Sequence, residues 1–349
     1  MRVAVVGPSR MPIAPPFGGG LEVFVHRLVT GLRLRGIDVD LFAARGSLGH
    51  RRDLEFPGVD WQGHMHSARD DRYPPGAEES EAAAHDRVRE HLEAADYDLI
   101  HNNSVHSSML LMDPSARAPM VTTLHTPPQD AMQCALRRRG LAAGRFTAVS
   151  RFTARQWGVP HAADVIHNGV ETERWRLGPG GDGAVWFGRL TREKAPHLAI
   201  EACRRLGIPL TLIGRSAEPS YFEAQIAPHL GDGVRWLGAM APSEIALEVG
   251  RSRLALATPQ WDEPFGLVLI EALSCGTPVA AFGRGGIPEI LSSTPEHLAR
   301  PDDVDDLVRA ARTAMRQPRA EARAIAVERF DLGLMIDRYL ALFEETAAR

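Results

Sequence analysis

At 349 residues, with 44% hydrophobic and 24% charged side chains, the chain has the balance of a soluble globular protein. It is too long for one comfortable core, which predicts two domains of about 150–200 residues each. A formal net charge of −4 excludes the global basic field that drives non-specific nucleic-acid binding, so any bound anion must be held locally. Three scattered cysteines, Cys134, Cys203 and Cys275, form no Cys-x-x-Cys pair, so neither a disulfide framework nor a zinc site is expected and a reducing, cytoplasmic compartment fits.

In chain order, the run Val3 to Val6 is too short for a signal-peptide core or a membrane span and reads as a first buried strand. The loop Pro16-Phe17-Gly18-Gly19-Gly20-Leu21-Glu22 then leads into a helix reaching Arg35, and it lacks the compact Gly-x-Gly-x-x-Gly spacing of a dinucleotide site. Arg27, Arg33 and Arg35 put charge on this otherwise apolar helix; a solvated face is favoured over contact with an acidic membrane surface. Asp38-Val39-Asp40 matches an Asp-x-Asp metal pattern but enters the next strand, Ile37 to Ala43, and is read as structural. Residues 45–83 mix Pro, Gly, His and acidic residues, which predicts loops with a short strand near Trp61; His64 and His66 there lack the further ligands of a metal site.

Leu99–Ile100 and Val121 to Leu124 are the next strands, the second leading directly into His125. Asn168-Gly169 is a turn pair near the expected domain crossing, and Leu177-Gly178-Pro179-Gly180-Gly181-Asp182-Gly183 carries little that could be buried, which makes 173–183 the expected linker. Strands resume at Ala184 to Phe187, Leu210 to Ile213, Val234 to Leu237, Leu254 to Ala257 and Val279 to Phe282. Short branched apolar runs alternating with helical patterns are the signature of parallel sheets covered on both faces, so two doubly wound α/β domains are predicted, 1–172 and 184–328. The last segment, 329–349, places Leu334, Met335, Tyr339, Leu340 and Leu342 at roughly helical spacing, as in an amphipathic helix packed on a domain surface and crossing back to the first domain.

The most informative segment runs from Trp261 through Glu263-Pro264-Phe265-Gly266-Leu267-Val268 to Glu271 and on to Val279. A helix starting after Gly266 leaves the N–H groups of Gly266, Leu267 and Val268 pointing, with the helix dipole, at an anion such as a diphosphate. Glu263 and Glu271 flank that position; as carboxylates they suit the hydroxyls of a sugar and a ribose rather than the phosphate. Upstream, Val185-Trp186-Phe187-Gly188-Arg189-Leu190-Thr191-Arg192-Glu193-Lys194-Ala195-Pro196 places Arg189 and Lys194 just past the carboxyl end of a strand, where doubly wound sheets bind ligands.

Glu263 and Glu271, seven residues apart, resemble the Glu-x7-Glu motif of family 4 glycosyltransferases, which have the GT-B fold of two Rossmann-like domains facing across a cleft. The Gly-Arg-Leu and Glu-Lys strings resemble the same family, with Ala195 where a glycine is usual. So do the Gly-Gly loop at Gly19 and Gly20, His125-Thr126-Pro127, and Gly283-Arg284-Gly285-Gly286. The resemblance implies a retaining glycosyltransferase with a nucleotide-diphosphate sugar donor, UDP favoured, and a hydroxyl acceptor. It implies that Glu263 and His125 meet the transferred sugar, that Glu271 meets the ribose, and that Arg189 and Lys194 stabilise the leaving diphosphate. Gly19, Gly20 and the Phe265 to Val268 stretch would complete the donor site. No cofactor, metal or nucleic acid is expected. A GT-B phosphorylase, a nucleotide-sugar epimerase and a catalytically silent nucleotide-sugar-binding subunit remain the alternatives.

Overall fold

Most of the twelve strands in the computed structural model, which describes residues 1–59, 74–113, 115–140, 144–159 and 163–348, grow from runs of branched apolar residues between turn formers. In the first sheet lie β1 (Arg2–Val6), β2 (Asp38–Phe42), β3 (Leu99–Asn102), β4 (Met120–Leu124), β5 (Arg145–Ala148) and β6 (Ala163–Val165), in the order β2-β1-β3-β4-β5-β6. The second contains β7 (Ala184–Phe187), β8 (Leu210–Ile213), β9 (Val234–Trp236), β10 (Leu254–Ala257), β11 (Val279–Phe282) and β12 (Leu298–Ala299), in the order β12-β11-β10-β7-β8-β9. Each neighbouring pair is parallel. Strands such as Leu210–Ile213 are buried at every residue, because helices cover both faces and leave no solvent side for polar alternation.

β5, β6 and β12 escaped the sequence reading. β12 has two residues, β6 is an edge strand with an exposed Asp164, and β5 alternates Arg, Phe, Thr and Ala, so none carries an apolar run. The expected strand near Trp61, and His64 and His66, lie outside the described residues.

Contacts divide the described residues into two units: those up to Asn168 together with those from Gly333 onward, and Gly169–Leu332. The stretch 173–183 lies against the second unit. Trp175 is buried, Gly178 N–H donates to the Cys275 carbonyl at 3.0 Å and Gly180 N–H to that of Gly250 at 2.9 Å. A Cβ on Gly178 would lie 2.3 Å from the Gly250 carbonyl oxygen, so the glycine is there to let two backbones touch. This docking leaves no side-chain pattern for a sequence reader to see.

The last helix, Leu332–Ala347, packs within the first unit. Its buried stripe is Met335, Ile336, Tyr339, Leu342 and Phe343; Leu334 is exposed and Leu340 half-buried, a shift from the expected face. Ile336 sits where Gly31 lacks a side chain, and the Tyr339 hydroxyl lies 3.3 Å from that of Thr123. The arginines of the helix Gly20–Leu34 and its C-cap do not make a free basic face. Arg27 is buried, Arg33 donates to the Val39 carbonyl at 2.8 Å, and Arg35 pairs with Asp337 at 2.8 Å. Asp40, in the Asp-x-Asp string, accepts hydrogen bonds from Arg2 and Tyr97, each at 2.7 Å. No helix among the described residues is long and apolar enough to cross a membrane.

Candidate active site

In each sheet the strand order reverses once, between β1 and β3 in the first and between β7 and β10 in the second. Loops leaving the carboxyl ends on either side of such a reversal diverge and open a crevice where ligands bind. In the second unit, the loop after β7 carries Arg189 and Lys194 and the loop after β10 carries Glu263.

These two loops are tied together. Lys194 Nζ donates to Glu263 Oε2, with side chains 22% and 18% exposed, so the pair is reachable but partly desolvated. Gln260 N–H donates to the Glu193 carbonyl at 2.7 Å. Thr258 Oγ1 donates toward the carbonyls of Lys194 and Ala195 at 3.1 and 2.9 Å and accepts from Trp186 Nε1 at 3.1 Å. Arg189 reaches Glu193 at 3.1 Å. Ala195, buried, adopts φ 48° and ψ 54°, the left-handed conformation that explains why a glycine is usual at this place in the motif.

A third loop supports Glu263 from behind. Gly286 N–H donates to the Glu263 carbonyl at 2.8 Å, and a Cβ on Gly285, at φ +61°, would lie 2.0 Å from that oxygen. Arg284 pairs with Asp302, which also accepts from Gln260 Nε2 at 3.1 Å. The Gly283-Arg284-Gly285-Gly286 string was noted for its resemblance alone, and sequence reading missed Gln260, Thr258 and Asp302, whose roles depend on loop geometry and not on a spacing.

The helix Leu267–Ser274 begins after Gly266, at φ +108°, with no side-chain cap; Leu269 N–H donates to the Gly266 carbonyl at 3.0 Å, and the N–H groups ahead of it are those that a helix start offers to a ligand or water. Leu267, Val268 and Glu271 are half-buried. Phe265 is different: its ring is buried and packs edge-on against Phe330 at 5.9 Å, so of this residue only the backbone is offered to a ligand.

In the first unit, Gly19 is the extended N-cap of the helix Gly20–Leu34, and a Cβ there would lie 3.2 Å from the Glu22 carboxylate. His125 follows β4; its Nε2 lies 2.9 Å from Asn103 Oδ1, and its ring meets Phe24 edge-on at 4.6 Å. Asn103 Nδ2 donates to the His101 carbonyl at 3.4 Å, which turns Oδ1 toward His125. Burial pushes the His125 pKa down to about 3, so the ring is neutral, Nε2 carries the proton and Nδ1 is an acceptor. Asn103 was not foreseen, although its place just past a strand's carboxyl end was a usable signal. Among the described residues no group of three or more His, Cys, Asp or Glu side chains is placed to hold a metal ion.

Residues 18–174 match the family described as Glycosyltransferase Family 4, and residues 174–329 match Glycosyl transferases group 1. The chain is 31% identical over 344 residues to a D-inositol 3-phosphate glycosyltransferase of Acidothermus cellulolyticus, covering 82% of this chain and 76% of that protein. It is 32% identical over 173 residues to a glycogen synthase of Mycobacterium tuberculosis, 46% of this chain, and spans only 41% of the synthase's length. Among solved structures, Anabaena HepE in complex with UDP and glucose superposes with a TM-score of 0.70 at 22% identity, covering 99% of this chain and all of that one, a likeness of fold.

Proposed function

The chain belongs to the family 4 glycosyltransferases, which have the GT-B fold, and on that premise we propose a retaining enzyme that moves a sugar from a nucleotide-diphosphate donor to an acceptor hydroxyl. The observation that carries this reading is the Lys194–Glu263 ion pair, which joins the two loops at the strand-order reversal of the second unit beside an uncapped helix start, with Arg189 paired to Glu193 on the first of those loops. A UDP-sugar is the favoured donor, a choice supported by UDP and glucose in the fold relative HepE.

Arg189 and Lys194 neutralise the diphosphate, and their effect grows as the sugar–phosphate bond breaks. The helix start at Gly266, Leu267 and Val268 supplies backbone donors to the same anion. Glu263 accepts hydrogen bonds from sugar hydroxyls and Glu271 from the ribose. Neutral His125 accepts a hydrogen bond from a sugar hydroxyl at Nδ1 and orients the sugar without adding charge; Gly19 and Gly20 present amides to the donor. The acceptor oxygen bonds to the anomeric carbon on the face that the diphosphate leaves, and its proton passes to the departing phosphate oxygen. The chemistry invokes no cofactor and no metal.

Calorimetric titration with UDP, GDP, ADP and their sugar conjugates, on wild type, Glu271→Ala and Lys194→Ala, tests the donor site. Selective binding to one nucleotide that is lost in both variants is expected. Absence of binding to every member overturns the reading. Products then separate the chemistry: a new glycoside of retained configuration is expected, whereas phosphate-dependent cleavage, an epimerised donor or no turnover across an acceptor panel would move the phosphorylase, the epimerase or the silent subunit ahead.

A further inference from the structure

Trp261 stands between the two side chains on which the proposed chemistry depends. Its ring carries the Lys194 ammonium 4.6 Å from the centroid, and its Nε1–H donates to Glu263 Oε2 at 3.1 Å, the same oxygen that Lys194 contacts. The neighbouring Gln260 N–H, bonded to the Glu193 carbonyl at 2.7 Å, fixes the indole against the loop that carries Lys194. An indole suits this position for two separate reasons. Its π face attracts a cation, and its N–H is a donor with no acceptor, so it binds the carboxylate without competing for the ammonium.

Lys194 and Glu263 left to themselves would satisfy each other, and a donor diphosphate that draws Lys194 away would leave the carboxylate to swing. We propose that Trp261 is a positioning residue for sugar transfer: it keeps Glu263 aimed while Lys194 is engaged by the diphosphate, and returns Lys194 to its place when the nucleotide leaves. The proposal rests on the transferase reading given above and names a residue that the Glu-x7-Glu spacing does not include.

Two measurements on the full chain test it. In protein labelled with 15N at the indoles, the Trp261 Nε1–H resonance is identified by its loss in Trp261→Phe. Glu263→Gln, which removes the acceptor's charge, is expected to shift that resonance upfield; an unmoved resonance overturns the contact whether or not the protein transfers sugar. In steady-state transfer, Trp261→Phe keeps the ring and loses the donor. It is expected to lower kcat about tenfold while donor KM and UDP affinity stay within about threefold of wild type. Trp261→Leu loses both contacts and should fall about a further tenfold in kcat. A residue that only fills space would be rescued by Phe, so wild-type kcat in Trp261→Phe overturns the positioning role. A wild-type protein that turns over no nucleotide sugar sinks the transferase reading and, with it, the positioning role, while the resonance experiment still judges the contact.

Discussion

Lys194 and Glu263 form a partly exposed ion pair, and such pairs contribute only about 1 kcal/mol or less to stability. In the proposed mechanism the value of Lys194 lies instead in meeting charge that develops on a diphosphate, a preorganised contact of the kind whose loss costs about 3 kcal/mol of transition-state stabilisation. Lys194→Ala and Arg189→Ala are therefore expected to lower kcat by about a hundredfold or more while leaving the folded state nearly unchanged, as judged by transfer kinetics beside thermal unfolding. Near-normal turnover in either variant would remove that residue from the mechanism. Ala195 poses the opposite problem. Its left-handed backbone costs a non-glycine residue about 1–2 kcal/mol, and its methyl group, fully buried, returns about 0.8 kcal/mol. Ala195→Gly trades one for the other and should change unfolding free energy by about 1 kcal/mol or less, with kcat retained. A large loss of activity would mean that the methyl group itself shapes the loop.

Loops hold the site because elements hold the loops. The reversal between β7 and β10 places the Lys194 and Glu263 segments side by side, and the loop after β11 closes behind Glu263 through Gly285 and Gly286. Gly285→Ala adds a side chain at φ +61° into the Glu263 carbonyl, so it should cost about 1–3 kcal/mol and displace the carboxylate. Equilibrium unfolding and UDP-sugar titration should both register it; normal donor affinity would show that the loop adapts. Much of this framework was legible in the sequence. β7, β8, β10 and β11 could be bounded to the residue because a strand buried on both faces is a nearly continuous apolar run, broken here only by Thr211. Glu263, Glu271, Arg189 and Lys194 could be singled out because a donor site of the proposed kind requires fixed spacings from strand ends and a helix start. The rest lacked such a signal. Trp261 marked only the start of the Glu263 segment, with no role of its own, the glycines of 173–183 looked like a linker, and Arg27, Arg33 and Arg35 like a solvated face. Their partners lie on other segments, where a local pattern cannot reach.

At the scale of the whole molecule, seven imidazoles among the described residues are held below their ordinary pKa. Burial pushes the His85 and His125 pKa values down to about 3 and that of His101 well below its ordinary value; His91, His106, His197 and His297 are lowered for the same leading reason. Packing explains the strongest cases: His85 is stacked between Phe56 at 4.4 Å and His106 at 3.9 Å, and His101 is buried between Tyr339 and Phe343. A histidine depressed in the folded state contributes its full stability above the unfolded value near pH 6.5, and loses it as pH falls toward the folded value, because the unfolded chain then binds the proton that the folded chain refuses. Each strongly depressed ring therefore removes about 1.4 kcal/mol per pH unit below about 6.5. Asp306 does not blur this window: the Arg309 guanidinium and the Arg300 N–H hold it below the usual range, so its contribution persists until more acidic pH. His85, His91, His101, His106 and His125 lie in the first unit, His197 and His297 in the second. Thermal unfolding should be nearly flat from pH 8 to about 6.5 and then fall, with the first unit failing before the second as the pH drops toward about 4.5. Calorimetry with and without a donor nucleotide assigns the transitions, since a ligand raises the melting temperature of the unit that binds it. A first-unit transition that keeps its temperature down to pH 4.5 would mean that these rings accept protons without leaving their places.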